Sequence, residues 1–236
     1  MSLTAVQLQD PSVELRQSWR HLLIVWAVSL TQPILGSTYY LLGAASSTDP
    51  LRQKFRLISG LASELVALLV LWYVIRQQGK TWRDLGWSFR IGDIPLGIGL
   101  LVLASLASWM AWIPVQLLYR SYSGHFIEPK SYSGFGFGIS ALSVTFILLN
   151  PFFEELIVRA YTMSEVIRLG GSGWLAVFIS VALQMSYHLY QGAARAFDIA
   201  IIFAVFSIYY VRTRRVVPLI LAHLGYDLHA LFAGRF

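Results

Sequence analysis

Long apolar segments, separated by short polar stretches, recur along the whole 236-residue chain. An α-helix needs roughly 20 apolar residues to cross a bilayer, and most of these segments are close to that length. The pattern therefore predicts an all-α fold, a polytopic transmembrane helical bundle with about seven spans. The predicted helices cover residues 21–42, 57–75, 94–118, 139–169, 174–190, 196–211 and 218–232.

The polar residues divide the chain into a short tail and one long domain. Residues 1–19 are predicted to form a polar N-terminal tail, and no later stretch is long or polar enough to fold as a second, soluble domain. We therefore expect a single membrane-embedded helical domain over residues 20–236. The longest interior connection, residues 119–138, is rich in Ser, Gly and Tyr and is a candidate lid or re-entrant segment.

Composition supports the membrane interpretation. Hydrophobic residues make up 56% of the chain, charged residues 13%, and the mean hydropathy is +0.61, whereas soluble domains contain about 25% charged residues. We expect a multi-pass integral protein of the cell (plasma) membrane, with the lipid bilayer as its surroundings. The net charge of +6 is scattered over loop ends, so nucleic acid is not an expected partner. The absence of cysteine excludes disulfides and thiolate chemistry.

Three ionisable side chains interrupt the apolar stretch 151–159: Glu154, Glu155 and Arg159. Each costs a few kcal/mol at membrane depth, so such a group indicates a partner or chemistry. Helical geometry places Glu155 and Arg159 on one face, four residues apart, and turns Glu154 about a quarter-turn aside. Glu154 is thus the freer carboxylate and the stronger functional candidate. For Glu155 and Arg159 the alternative is an internal ion pair with no further role.

Two histidines and an aspartate lie on later helices. His223 and Asp227 are four residues apart and so share a face, and His188 lies near the end of an apolar helix. Their spacing permits all three to meet Glu154 in one buried cavity, although each histidine could equally be an interfacial or internally bonded residue. The other ionisable groups near the spans lie at less suggestive positions: Glu64, Asp198 and His229.

The order of these motifs resembles the CPBP intramembrane proteases, also called CAAX-prenyl-protease-like proteins or type II CAAX endopeptidases, a family that includes bacteriocin-immunity members. Its signature is Glu-Glu-x-x-x-Arg, then Phe-x-x-x-His, then His-x-x-x-Asn/Asp on successive helices. This chain has Glu154-Glu155-x-x-x-Arg159, a matching His188, and His223-x-x-x-Asp227. The resemblance covers roughly residues 80–230.

The chain departs from the family pattern at three positions. Gln184 stands where the second motif usually has Phe, Ala160 follows the arginine where Gly is common, and Asp227 replaces the more frequent Asn. The first change affects the surroundings of His188. The third alters the hydrogen-bonding chemistry of the last motif, because an ionised carboxylate accepts but cannot donate.

The resemblance implies a glutamic endopeptidase that works without metal or other cofactor. Glu154 would be the general base that activates water, and His188 would help to orient that water. His223 would donate to the oxyanion, and Asp227 would either donate when protonated or orient His223. Glu155 with Arg159 would hold these groups in place. The implied substrate is a membrane-associated protein or peptide, as are the prenylated CAAX proteins cut by some relatives.

Three alternatives remain open from the sequence. Glu154, His188 and His223 could form the two-histidine, one-carboxylate set of a zinc protease, although the His-Glu-x-x-His spacing is absent. A non-hydrolytic immunity or scaffold module could keep the polar cluster for stability and partner binding. A transporter or channel could also use buried charges, but the sequence shows no internal repeat pair.

Overall fold

The computed structural model describes residues 11–42, 50–126 and 139–232, and within these ranges all regular secondary structure is helical. This confirms the all-α prediction. The elements are α1 (Pro11–Leu41), α2 (Pro50–Gln77), a 3-10 turn (Trp82–Leu85), α3 (Asp93–Ser123), α4 (Ala141–Glu154), a π-helical segment (Glu155–Tyr161), α5 (Thr162–Arg168), α6 (Gly173–Ser186), a second 3-10 turn (Leu189–Gln191), α7 (Ala193–Thr213) and α8 (Val217–Phe232).

Among the residues that the structure describes, five helical segments are long and apolar enough to cross a membrane: Val13–Tyr39, Lys54–Gln77, Asp93–Ser123, Ala141–Arg168 and Ala194–Thr213. Two further apolar helices, α6 and α8, are shorter, with 14 and 16 residues. The predicted bundle of about seven apolar helices is therefore confirmed, and the chain is an integral membrane protein. Both candidate histidines are close to this shorter pair, because α8 carries His223 and His188 follows the end of α6.

The first two helices begin earlier than the apolar pattern predicted. Helix α1 starts at Pro11 rather than at residue 21, and α2 starts at Pro50 rather than at residue 57. Proline suits the first helical position because its fixed φ is helical and its missing N–H would be unpaired there. Residues 11–19 of the predicted tail are thus helical. Residues 1–10, and residues 127–138 of the predicted lid, lie outside the described residues.

Helices α4 and α5 form one rod, joined by the π-helical segment Glu155–Tyr161. In a π-helix each hydrogen bond spans five residues instead of the four of an α-helix, and such segments are frequent at functional sites. All seven of its residues are buried, including Glu155 and Arg159. The buried pair Glu155 and Arg159 thus lies where the helix is irregular.

Helix α8 packs closely against α3 through glycines. A Cβ on Gly97 of α3 would lie 2.8 Å from Leu221 Cβ, and a Cβ on Gly225 of α8 would lie 2.3 Å from Leu101 Cδ1. Small residues let helix backbones approach each other in a membrane. This contact fixes the helix that carries His223 and Asp227.

The turn between α7 and α8 packs against the loop that precedes α3. Gly86 has φ +85° and a Cβ there would lie 2.0 Å from Arg214 O, so only glycine fits. Its carbonyl oxygen accepts from Val216 N at 3.3 Å. Just before it, Asp84 accepts from Thr81 N at 2.7 Å and from Thr81 Oγ1 at 2.8 Å, and these bonds hold the pKa of Asp84 below its ordinary range.

Candidate active site

A cavity of about 520 Å³ opens between α1, α2, α4, α7, α8 and the end of α6. Glu154, His188, His223 and Asp227 all line it. The structure therefore brings together the four residues that the sequence analysis singled out for chemistry. Glu155 and Arg159, which were expected to support them, are fully buried.

Glu155 binds two partners with one carboxylate. Arg159 Nε donates to Glu155 Oε2 at 3.1 Å, and Arg159 Nη2 donates to Glu155 Oε1 at 3.2 Å. His223 Nδ1 lies 2.9 Å from the same Oε1. Because a carboxylate paired with arginine accepts hydrogen bonds, Nδ1 carries the proton of this contact. Glu155 therefore connects the first motif to the third.

Arg159 is held on its other side as well. Its Nη1 lies 3.5 Å from Ser180 Oγ, and its guanidinium carbon lies 4.1 Å from the centre of the Phe203 ring. A buried arginine needs such contacts, because leaving an ion unpaired in a dry interior costs several kcal/mol. The guanidinium is thus a fixed support for Glu155.

Glu154 is held by the residue that departs from the family pattern. Gln184 Nε2 donates to Glu154 Oε2, and Gln184 Oε1 accepts from Tyr187 Oη at 2.6 Å. Both ends of the Gln184 amide are therefore used. The family's usual phenylalanine could make neither bond, so this chain supports its candidate base with a polar contact instead.

The second nitrogen of His223 lies between two carboxyl groups. Nε2 is 3.8 Å from Glu154 Oε2 and 3.7 Å from Asp227 Oδ1, both too long for direct hydrogen bonds. With Nδ1 committed to Glu155, the ring is oriented so that Nε2 is directed toward this part of the cavity. This is the orientation that a donor to a reacting oxygen requires.

His188 follows α6 instead of lying inside it, because the helix ends at Ser186. Its Nδ1 lies 2.8 Å from Gln184 O, a carbonyl that can only accept, so Nδ1 carries a hydrogen. The ring stacks near Tyr190, with 6.3 Å between centroids. The backbone bond and the stacking fix the imidazole and leave Nε2 for the cavity.

Two residues outside the three motifs also line the cavity: Glu64 of α2, whose position in the sequence was judged less suggestive, and Asn150 of α4. One end of the Asn150 amide lies 3.1 Å from Glu64 Oε1 and 3.3 Å from Glu154 Oε1, and the other end lies 3.4 Å from Asp227 Oδ2. Glu64 is the one charged residue in the predicted span 57–75. That isolation was the signal that could have identified it.

The described residues contain no group of three His, Asp or Glu side chains placed so that they could hold a metal ion. Glu154, His188 and His223 are therefore not arranged as a preformed ligand set. Each of these side chains already uses one atom in a hydrogen bond. Glu154 Oε2 binds the Gln184 amide, His188 Nδ1 binds the Gln184 backbone carbonyl, and His223 Nδ1 binds Glu155. Chelator treatment of the protein is the direct test of the zinc alternative.

A family model for type II CAAX prenyl endopeptidases, described as Rce1-like, matches residues 136–229. The matched segment contains all six residues of the three motifs and excludes Glu64. Over this segment, which is less than half of the chain, the sequence is similar to the Rce1-like type II CAAX prenyl endopeptidases, and the resemblance of its motifs is confirmed. In the comparisons with curated proteins and with solved structures, nothing matched the chain.

Proposed function

We propose that the protein is an intramembrane glutamic endopeptidase that hydrolyses a peptide bond of a membrane-associated substrate without a metal or other cofactor. The observation that carries the proposal is the position of His223, bound through Nδ1 to Glu155 and directed through Nε2 toward Glu154 and Asp227. Glu154 and His223 thus combine a carboxylate base with a hydrogen-bond donor in a fixed position, as peptide hydrolysis requires.

Glu154 is the proposed general base. It takes a proton from a water molecule, and the water oxygen attacks the carbonyl carbon of the substrate. His188, fixed by the Gln184 carbonyl, orients the water. His223, with a hydrogen on each ring nitrogen, donates from Nε2 to the oxyanion that forms, and Asp227 either donates to it in its protonated form or orients His223. The carbon–nitrogen bond then breaks, and the proton that Glu154 took from the water passes to the leaving amine. Glu155 and Arg159 keep His223 in place and do not touch the substrate.

The family match favours a membrane-associated protein or peptide as the substrate, with prenylated CAAX-type chains as the substrate class. The cell membrane is the proposed location. The cavity volume of about 520 Å³ is within the size range of small-ligand pockets and accommodates a short peptide segment. The lining combines the polar cluster with apolar side chains such as Phe146 and Ile202.

The test is cleavage of a fluorogenic peptide with a farnesylated CAAX end by the purified protein in liposomes. Glu154→Gln should lower kcat by about 10²–10⁴-fold, the usual share of a general base, because Gln has the same size but cannot take a proton from water. Its melting temperature should stay close to that of the wild type. Glu14→Gln, an exchange of an exposed glutamate on α1, is the matched control and should change neither quantity.

Each alternative predicts a different result in the same assay. Undiminished cleavage by Glu154→Gln would refute the glutamate mechanism. Inactivation by a chelator, reversed by added zinc, would establish the metal protease. If the wild type cuts no peptide, and cells that depend on the protein grow equally well with Glu154→Gln, the protein acts as a non-hydrolytic module.

A further inference from the structure

Glu64 is buried beside the catalytic cavity without any ion pair among the residues that the structure describes. It retains 6% of its exposure, and its Oε2 has no hydrogen-bond partner there. A buried carboxyl oxygen without a partner destabilises a fold, and the cost is higher for a charged group.

Asn150 connects Glu64 to the proposed base. The end of its amide that faces the two glutamates lies 3.1 Å from Glu64 Oε1 and 3.3 Å from Glu154 Oε1. Two acceptor oxygens meet on that side and only Asp227 Oδ2 meets the other end, so the amide nitrogen belongs between the glutamates. Its two hydrogens then bind one oxygen of each glutamate.

Glu154 is thereby fixed at both carboxyl oxygens. Gln184 binds Oε2, and Asn150 binds Oε1. The amide of Gln184 is anchored in turn by Tyr187, and the amide of Asn150 is anchored by Glu64. The two supports are alike, because each places an amide between the base and a further side chain.

We propose that Glu64 is a positioning residue for the general base, which it orients through Asn150. This inference rests on the proposed hydrolysis. Three carboxyl groups around one amide weaken the fold, and natural proteins retain such local conflicts chiefly at functional sites. Glu64 lies outside the segment that matches the family model, whereas Asn150 and Glu154 lie within it.

The first test compares Glu64→Leu with Glu64→Gln in the peptide assay. Glu64→Leu should lower kcat by about 10–100-fold, the usual effect of losing an outer support, with KM unchanged. Its melting temperature should equal or exceed that of the wild type, because a buried carboxyl group with an unpaired oxygen has been removed. Glu64→Gln should restore most of the activity, since its amide oxygen accepts the same bond from Asn150. Glu14→Leu, at an exposed position on α1, is the control.

The second test is a double-mutant cycle with Asn150→Leu. If Glu64 acts through Asn150, the double variant should be no less active than the less active of the two single variants. Losses that multiply would overturn the proposal. So would wild-type kcat in Glu64→Leu, or a fall in activity that only accompanies a fall in melting temperature.

Melting curves of the same four proteins separate this inference from the proposed function. Coupling between Glu64→Leu and Asn150→Leu in melting temperature measures the contact whether or not any peptide is cut. A lack of coupling would overturn the contact itself. If the variants show this coupling but the wild type cuts no peptide, the proposed hydrolysis is overturned, and the positioning role with it. If the wild type is active and Glu64→Leu has the same kcat, only the positioning role is overturned.

Discussion

His223 Nδ1 lies 2.9 Å from Glu155 Oε1, the same oxygen that accepts a hydrogen bond from Arg159 Nη2 at 3.2 Å. One carboxylate therefore serves an ion pair and a histidine at once. The sequence left two readings of Glu155 and Arg159, an internal ion pair or part of a functional site. The structure combines them, because the pair is buried and its shared oxygen fixes the ring that faces the cavity.

The first prediction concerns this carboxylate. Glu155→Ala should destabilise the protein by about 3–5 kcal/mol, because Arg159 is left as an unpaired buried charge. Glu155→Gln should destabilise the protein less than Glu155→Ala does. It should still lower kcat, because the amide cannot hold both Arg159 and His223 as the carboxylate does. Thermal melting and the peptide assay measure the two effects separately.

A double variant serves as the control for Glu155. Glu155→Gln combined with Arg159→Met removes both charges and should recover stability relative to Glu155→Ala, because no ion remains unpaired. Activity should stay below that of the wild type, since a neutral amide oxygen binds His223 Nδ1 more weakly than a carboxylate does. Wild-type melting and activity in Glu155→Ala would show that the contact does not hold the site together.

The second prediction concerns Gln184, which binds Glu154 on one side and Tyr187 on the other. Gln184→Leu leaves Glu154 Oε2 and the Tyr187 hydroxyl without these bonds and should lower kcat by about 10–100-fold, the range for loss of an outer support. Tyr187→Phe removes only the outer bond and should have a smaller effect. Equal activity in Gln184→Leu and the wild type would mean that Asn150 alone suffices to hold the base.

The apolar pattern predicted the helices well because membrane spans depend on a local property, the length of an apolar run. It could not locate the polar first turns of α1 and α2, which begin at Pro11 and Pro50. Nor could it predict the π-helical segment at Glu155–Tyr161, since backbone irregularity depends on the neighbours that bind the freed groups.

Site residues were predictable where the motif spacing itself places them on one helix face, as for Glu155 with Arg159 and His223 with Asp227. Glu64 and Asn150 belong to no motif. Asn150 lies four residues before Glu154 on α4, whereas the contact between Glu64 and Asn150 comes from the packing of α2 against α4. Such contacts join residues far apart in sequence. Only the isolation of one acid in an apolar span marked Glu64 in advance.

The third prediction concerns the close packing of α3 and α8. Gly97→Ala places a Cβ 2.8 Å from Leu221 Cβ and 3.1 Å from Pro218 O, so the helices must move apart. The expected loss is about 1–3 kcal/mol, the usual penalty of overpacking. Activity should fall too, because α8 carries His223 and Asp227. Gly99→Ala is the matched control on the same helix, since a Cβ there meets nothing within 4 Å, and its melting temperature should not decrease.

The last prediction distinguishes the two roles open to Asp227. Its Oδ1 lies 3.7 Å from His223 Nε2, and its Oδ2 lies 3.4 Å from one end of the Asn150 amide. If Asp227 works as a protonated donor to the oxyanion, Asp227→Asn should keep most of the activity, because the asparagine amide donates a hydrogen bond at every pH. Asp227→Ala should then lower kcat by about 10²–10³-fold, as expected for a lost oxyanion donor.

If Asp227 instead orients His223 through its negative charge, Asp227→Asn should be as inactive as Asp227→Ala, because neither variant carries that charge. The kcat values of the two variants, measured with the same peptide, therefore decide between a donor and an orienting carboxylate. The melting temperature of each variant should be measured as well. Removing a buried acid can raise stability, and a larger folded fraction must be distinguished from a higher kcat. Asparagine is also the more frequent residue at this position of the motif, and full activity of Asp227→Asn would mean that a protonated Asp227 supplies the same hydrogen bond.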